Sequence, residues 1–210
     1  MIEQVTLLAL GWLSGVLSPI IVDAIRSRRE SEAVMAAVKS ELTEVSRHMV
    51  LAAYSVTMQT GEVDRSYLKW VQDSLLVNLG SDVNDKMVDS LALKLSWSDE
   101  TIADYAAAQA AKGINAIALV KFAVPFVDAR VSAWHAIPES IRLELHAVRS
   151  DVRLLDDLGH QSRTYFHLTF GKLDPGNYET VATNLRGVYK QYAVRCRCAA
   201  ERMNHLRSVL

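Results

Sequence analysis

The first feature of the chain is an unbroken apolar run, followed by segments with helical periodicity. Residues 5–22 read VTLLALGWLSGVLSPIIV and include no charged side chain. A run of this length meets the lower limit for crossing the hydrocarbon core of a bilayer. The main alternative is a buried helix of a water-soluble domain, but such helices are usually apolar on one face only. We therefore predict an N-terminal transmembrane anchor within a first region, 1–29.

The charges on either side of this run predict its orientation. Only Glu3 precedes it, whereas Arg26, Arg28 and Arg29 follow it. A cleaved signal peptide carries its positive charges before the apolar run, so an uncleaved anchor is the stronger hypothesis. Basic flanks stay on the cytoplasmic side of the membrane. We predict a single-pass protein of the inner membrane, with its N-terminus outside and residues 30–210 in the cytoplasm.

Four small residues share one face of this predicted anchor. Gly11, Ser14, Gly15 and Ser18 follow one another at helical spacing. Such a stripe lets helix backbones approach closely, which favours self-association. The alternative is that glycine and serine are simply common in transmembrane helices. We predict a homo-oligomer formed through this face.

Beyond the arginines, apolar residues recur every three or four positions, as in amphipathic helices. We call each such row of apolar positions a seam. Long seams cover 35–56, 141–166 and 181–210, and shorter helical segments are predicted at 64–79, 83–95, 102–120 and between Pro125 and Pro138. Gly61 ends the first long helix, Asp64 and Ser98 begin later ones, and 171–176 forms a turn.

These segments predict an all-α fold, because none shows the period-two alternation of a strand. We predict one N-terminal transmembrane helix followed by an antiparallel helical bundle with long helices. The seams could instead be partner surfaces of a coiled-coil oligomer. Packing within one chain is the stronger hypothesis, because the turn at 171–176 makes the last two helices hairpin partners.

Composition narrows the classes of function. The 210 residues carry a net charge of −1, which argues against a protein built mainly to bind nucleic acid but leaves a local basic surface open. The basic segment 186–207 could meet lipid headgroups, an acidic partner or RNA phosphates, but its charges are spread around the helix, which favours solvent-exposed flanking charges. We predict no cofactor and no metal, because the nucleotide-binding glycine motifs and the His/Cys metal spacings are missing.

The strongest catalytic candidates are Arg130 and His135, with Arg153 and His160 behind them. Their Arg-x4–6-His spacing resembles the motif of HEPN ribonucleases. That resemblance implies an all-helical dimer in which the histidine acts as acid or base while the arginine stabilises phosphate charge. The layout also resembles membrane-anchored HEPN-like accessory proteins of CRISPR effectors. Because so short a motif also arises by chance, polar contacts between helices are the interpretation we favour.

The segment GWLSGVLSPIIVDAIRSRRE, followed by helices, resembles an uncharacterised group of bacterial single-anchor helical membrane proteins. This resemblance implies no particular activity. We therefore predict a membrane-tethered, oligomeric interaction or scaffold protein with the lipid bilayer and a cytoplasmic protein as partners. The alternative is a HEPN-like ribonuclease or a pore-forming accessory in an antiviral defence system.

Overall fold

The computed structural model describes the backbone of residues 2–79, 86–111, 118–129, 137–171 and 174–210. Side chains are described from residue 22 onward within these ranges, except at 79 and 175. The described chain forms helices, numbered in order as α1 Ile2–Thr60, α2 Arg65–Leu79, α3 Lys86–Leu95, α4 Asp99–Ala111, α5 Pro125–Ala129, α6 Glu139–Leu168 and α7 Pro175–Val209. The predicted all-α class is confirmed for these ranges.

The prediction of a separate membrane anchor is wrong. Within the described residues, no helix is long and apolar enough to cross a membrane. No helix end follows the apolar run. The run is the first part of α1, which continues without a break to Thr60. Charged residues follow one another along this helix from Asp23 onward, so its described side chains offer no continuous apolar stretch. The predicted location as a single-pass membrane protein with its N-terminus outside depended on this anchor and is therefore also wrong.

The bundle is built from antiparallel helix pairs. The Thr57 hydroxyl of α1 donates to the Tyr67 hydroxyl near the start of α2 at 2.9 Å, and Asn78 near the end of α2 donates to Ser46, so α2 runs back along α1. Arg207 near the end of α7 reaches Thr43 in the middle of α1, at 3.2 Å. Arg202 of α7 pairs with Asp151 of α6 at 3.1 Å, which fixes the α6–α7 hairpin.

The core lies where the predicted seams meet. The seam residues of α1, α6 and α7 turn toward one another, and the largest fully buried side chains include Leu42, Met49, Leu145, Leu155, Tyr189, Tyr192 and Met203. Burial of these apolar side chains is the main force that holds the helices together. The seams therefore pack within one chain.

Local signals at three helix ends are confirmed. Gly61 follows α1 with a φ of 76°, a conformation that glycine adopts without a steric penalty. Asp64 accepts a hydrogen bond from the Tyr67 amide at 2.7 Å and so caps α2. Ser98 accepts one from the Thr101 amide at 3.2 Å and caps α4.

The helix predicted over 102–120 is too long. Helix α4 ends at Ala111, and the described residues from Ala118 to Val124 are not helical. Between Pro125 and Pro138 the described residues form the short α5, Pro125–Ala129, and residues 130–136 of that predicted helix lie outside the described residues.

Candidate functional site

The predicted catalytic pair is not placed by the structure. Arg130 and His135 lie outside the described residues. Arg153 and His160 lie on α6, where both side chains are exposed. They are two helical turns apart, about 10 Å along the axis, and neither lines a described cavity. Arg153 and His160 therefore lie on the surface of α6 and do not form an enclosed site.

The predicted self-association face is placed only in part. Gly11, Ser14, Gly15 and Ser18 belong to the backbone of α1, but their side chains lie outside the described residues. Arg26, Arg28 and Arg29, predicted to set membrane orientation, are exposed on α1. Arg28 pairs with Glu32 one turn later at 2.9 Å.

The first described part of α1 projects from the bundle. Every side chain from Val22 to Glu30 is exposed, and the first buried residue among the described side chains of α1 is Val34. Helix α7 reaches its end at Val209, soon after Arg207 contacts Thr43. Residues 2–33 of α1 therefore extend beyond the end of α7, over about 48 Å of helix axis. We call this segment the arm.

The basic residues of α7 have mostly internal partners. Lys190 pairs with Glu62 of the α1–α2 connection, and Arg202 pairs with Glu144 and Asp151 of α6. The Arg197 guanidinium lies 4.8 Å from the centre of the Trp70 ring on α2. Lys190, Arg197 and Arg202 remain exposed while they make these contacts, so each contact adds little to stability. Their interpretation as solvent-exposed charges agrees with this exposure, but the sequence did not identify their partners on other helices.

Arg207 enters a polar cluster between α1, α2 and α7. Its guanidinium donates to Asn78 Oδ1 at 2.6 Å and to the Val77 carbonyl at 2.8 Å. The Asn78 amide in turn donates to the hydroxyl of the fully buried Ser46 at 3.4 Å, and Ser46 contacts Asn204 at 3.0 Å. Partial burial lowers the pKa of Arg207, because desolvation penalises its charge. The cluster links three helices through hydrogen bonds between polar side chains. The periodicity of the sequence does not predict which of these side chains contact one another.

Segment 118–124 packs against α7 and contributes to the lining of two cavities. Its Val120 carbonyl accepts a hydrogen bond from the Tyr192 hydroxyl at 2.6 Å, and Phe122 stacks on the Tyr192 ring. Burial raises the pKa of Tyr192, which therefore stays a neutral donor. One cavity, of about 450 Å³, is lined by His48, Leu51, Ala52, Ser55, Val56, Ala118, Leu119, Val120 and Tyr192.

The second cavity shares Ala118 and Leu119 with the first. It has a volume of about 170 Å³ and is lined by Ala118, Leu119, Gly159, Ser162, Arg163, Phe166 and Tyr189. Its walls come from α6, α7 and the start of segment 118–124. Sequence reasoning placed Gly159 and Ser162 in the α6 seam and did not predict a cavity. The signal available in the sequence was a glycine at a core position of a long helix.

Neither cavity resembles a metal centre. Within the described residues, no three His, Cys, Asp or Glu side chains come together as a metal ion would require.

The described residues form an all-α bundle with a projecting helix. Comparison with known proteins does not assign this bundle to a family. No protein-family model, curated protein or solved structure matches the chain.

Proposed function

We propose that this protein is an oligomeric interaction or scaffold protein whose copies associate through the arm of α1. The observation that carries the proposal is the exposure of α1 between Val22 and Glu30, in a helix that continues from the arm into the bundle without a break.

A helix in this position needs a partner. Most helical stability in proteins comes from packing an apolar face rather than from intrinsic propensity. Val22 and Ile25 expose 57% and 49% of their surface, and the uncharged run 5–22 continues the same helix. Exposed apolar surface of this kind is typical of an interaction site.

Within the described residues, the bundle does not cover α1 between Val22 and Glu30. Because α1 is helical from Ile2 to Thr60, it does not fold back onto its own core, and we propose that another molecule covers the arm. A second copy fits because it presents the same uncharged run, and identical helices placed about a two-fold axis bury matching faces.

The small residues Gly11, Ser14, Gly15 and Ser18 are the proposed contact face between arms. Small side chains at helical spacing permit close backbone approach and extensive van der Waals contact. In this arrangement the bundles are displayed by the assembled arms and can bring a protein partner into repeated proximity, as a scaffold does.

The test is the mass of the purified full-length chain by light scattering. A mass that is a multiple of the 23.3 kDa chain is expected, with a shift toward the monomer for the double change Gly11→Leu/Gly15→Leu. The control is Thr6→Leu/Ala9→Leu, which places two leucines on the opposite face of the helix and should leave the assembly intact. A monomeric wild-type chain would overturn the proposal. So would a chain that becomes monomeric on binding to lipid vesicles, because lipid rather than a second copy would then cover the arm.

A further inference from the structure

The 170 Å³ cavity beside Leu119 has a feature that packing alone does not explain. Gly159 lies in the interior of α6, is buried, and lines this cavity. Glycine is the least favourable residue except proline for the interior of a helix, because it loses the most backbone freedom on folding.

Nothing in the described surroundings forces this glycine. A Cβ atom built at Gly159 meets no atom within 4 Å, so an alanine would fit without a clash. The adjacent Ser162 hydroxyl is buried and already donates to the Gly159 carbonyl at 2.9 Å. The space beside Gly159 is therefore open, and a side chain at position 159 would reduce the volume of the cavity.

The size and walls of the cavity limit what it can hold. A cavity of about 150 Å³ with apolar walls can hold one benzene molecule, so the space beside Gly159 suits a single ring or a short branched chain. Leu119, the Phe166 ring and the Tyr189 ring supply apolar contact surface.

One charged group completes the lining. Arg163 belongs to the lining of the cavity, and it is exposed to solvent. No ion pair joins Arg163 to another residue within the described ranges. Arginine binds carboxylates through two parallel hydrogen bonds, a geometry that lysine does not offer.

We propose that this cavity binds a small aromatic or branched aliphatic carboxylate. The apolar part occupies the space left by Gly159, and the carboxylate pairs with Arg163 at the mouth. This site is separate from the arm of α1, so its occupancy is independent of assembly.

Benzoate is the first probe and toluene the second, with binding to the full-length chain followed by calorimetry and by protein NMR. Saturable benzoate binding at millimolar concentration is expected, with shifts centred on 118–119 and 159–166. Toluene should bind the same place. Arg163→Gln should weaken benzoate at least about tenfold, as expected for loss of a charged pair, and should leave toluene unchanged.

Filling the cavity is the decisive step. Gly159→Val should abolish binding of both probes, whereas Gly187→Val should retain it. Gly187 is the matched control because it is also a helix-interior glycine with no atom within 4 Å of a built Cβ, but it does not line the cavity. Helical content by circular dichroism checks that both variants fold.

Three results would overturn the proposal. They are the failure of benzoate to bind the wild-type chain, benzoate binding that survives Gly159→Val, and benzoate binding that Arg163→Gln leaves unchanged. The Arg163→Gln comparison remains informative even if a valine at 159 prevents folding, because it changes only an exposed side chain.

Discussion

Arg207 Nη1 donates a hydrogen bond to Asn78 Oδ1 at 2.6 Å, which joins the last turns of α7 to the end of α2. The two residues are far apart in sequence, and α1 contributes to the same cluster through Ser46 and Thr43. The cluster therefore fixes the axial positions of three helices relative to one another. Polar groups placed inside an otherwise apolar interface select one alignment, because every other alignment leaves them without partners.

Replacing Asn78 with alanine should destabilise the bundle. The change removes the acceptor of a charged donor and both donor contacts to Ser46 and the Ser74 carbonyl. We expect a loss of about 2 kcal/mol in the free energy of unfolding, measured by urea denaturation. Gln161→Ala, at an exposed position of α6, is the control and should change stability very little. Equal losses in the two variants would show that the cluster contributes nothing specific.

A second long-range contact holds the short helix α5 against α1. The Glu41 carboxylate accepts hydrogen bonds from the Phe126 amide at 2.7 Å and the Val127 amide at 2.9 Å. It therefore satisfies the first free amides of α5, a role usually filled by a residue of the same helix. Asp128 of α5 also pairs with Arg149 of α6 at 2.6 Å.

Glu41→Ala should release α5 locally without unfolding the bundle. We expect the Phe126 and Val127 amides to exchange with solvent about tenfold faster, which corresponds to a loss of about 1.4 kcal/mol in local stability. Hydrogen exchange followed by NMR measures this directly. Glu44→Ala changes an exposed carboxylate on the same helix and should leave both amides unaffected. Unchanged exchange in Glu41→Ala would contradict the proposed capping role.

The sequence was informative where structure depends on neighbouring residues. Apolar spacing located α1, α6 and α7, and cap residues located the starts of α2 and α4, because these signals operate within one or two helical turns. It was less informative where partners are distant in sequence. Glu41 looks like any surface carboxylate of an amphipathic helix until α5 is placed beside it.

The same limit applies to the candidate sites. Periodicity identifies Gly159 as a core position of α6 but cannot show that the facing residues leave space there. The basic residues Arg202 and Arg207 have the spacing of solvent-exposed charges, yet their partners lie on other helices. The apolar run 5–22 predicted a membrane anchor from its length and lack of charge, whereas within the described residues no helix is long and apolar enough to cross a membrane.

The cap at Asp64 predicts a measurable pH dependence. Hydrogen bonds from the Tyr67 amide and the Ser66 hydroxyl hold the pKa of the Asp64 carboxyl below its usual value. A lowered pKa in the folded state means that the stabilisation is present above the pKa of the unfolded chain. It is lost as pH falls through the folded-state value.

Asp64→Ala should therefore cost about 1 kcal/mol at neutral pH and much less in strong acid. The measurement is the difference in unfolding free energy between wild type and variant, repeated across the acid range. Asp64→Asn keeps a capping oxygen without a titratable group, so it should retain most of the stability at neutral pH. A difference between wild type and Asp64→Ala that stays constant with pH would show that the charge of Asp64 plays no part.

The two cysteines should differ sharply in reactivity although they are two positions apart. Cys198 is exposed on α7, whereas Cys196 is buried and its pKa is raised to about 12 by desolvation. The thiolate is the reactive form of cysteine, so at mildly alkaline pH Cys196 is both protonated and inaccessible. A thiol reagent such as iodoacetamide should modify only Cys198 in the folded protein, and Cys198→Ser should remove the rapid reaction entirely. Adding urea should expose the second thiol in step with global unfolding. Rapid modification of Cys196 in the native state would mean that α7 opens locally at the centre of the core, which its packing against α1 and α6 does not allow.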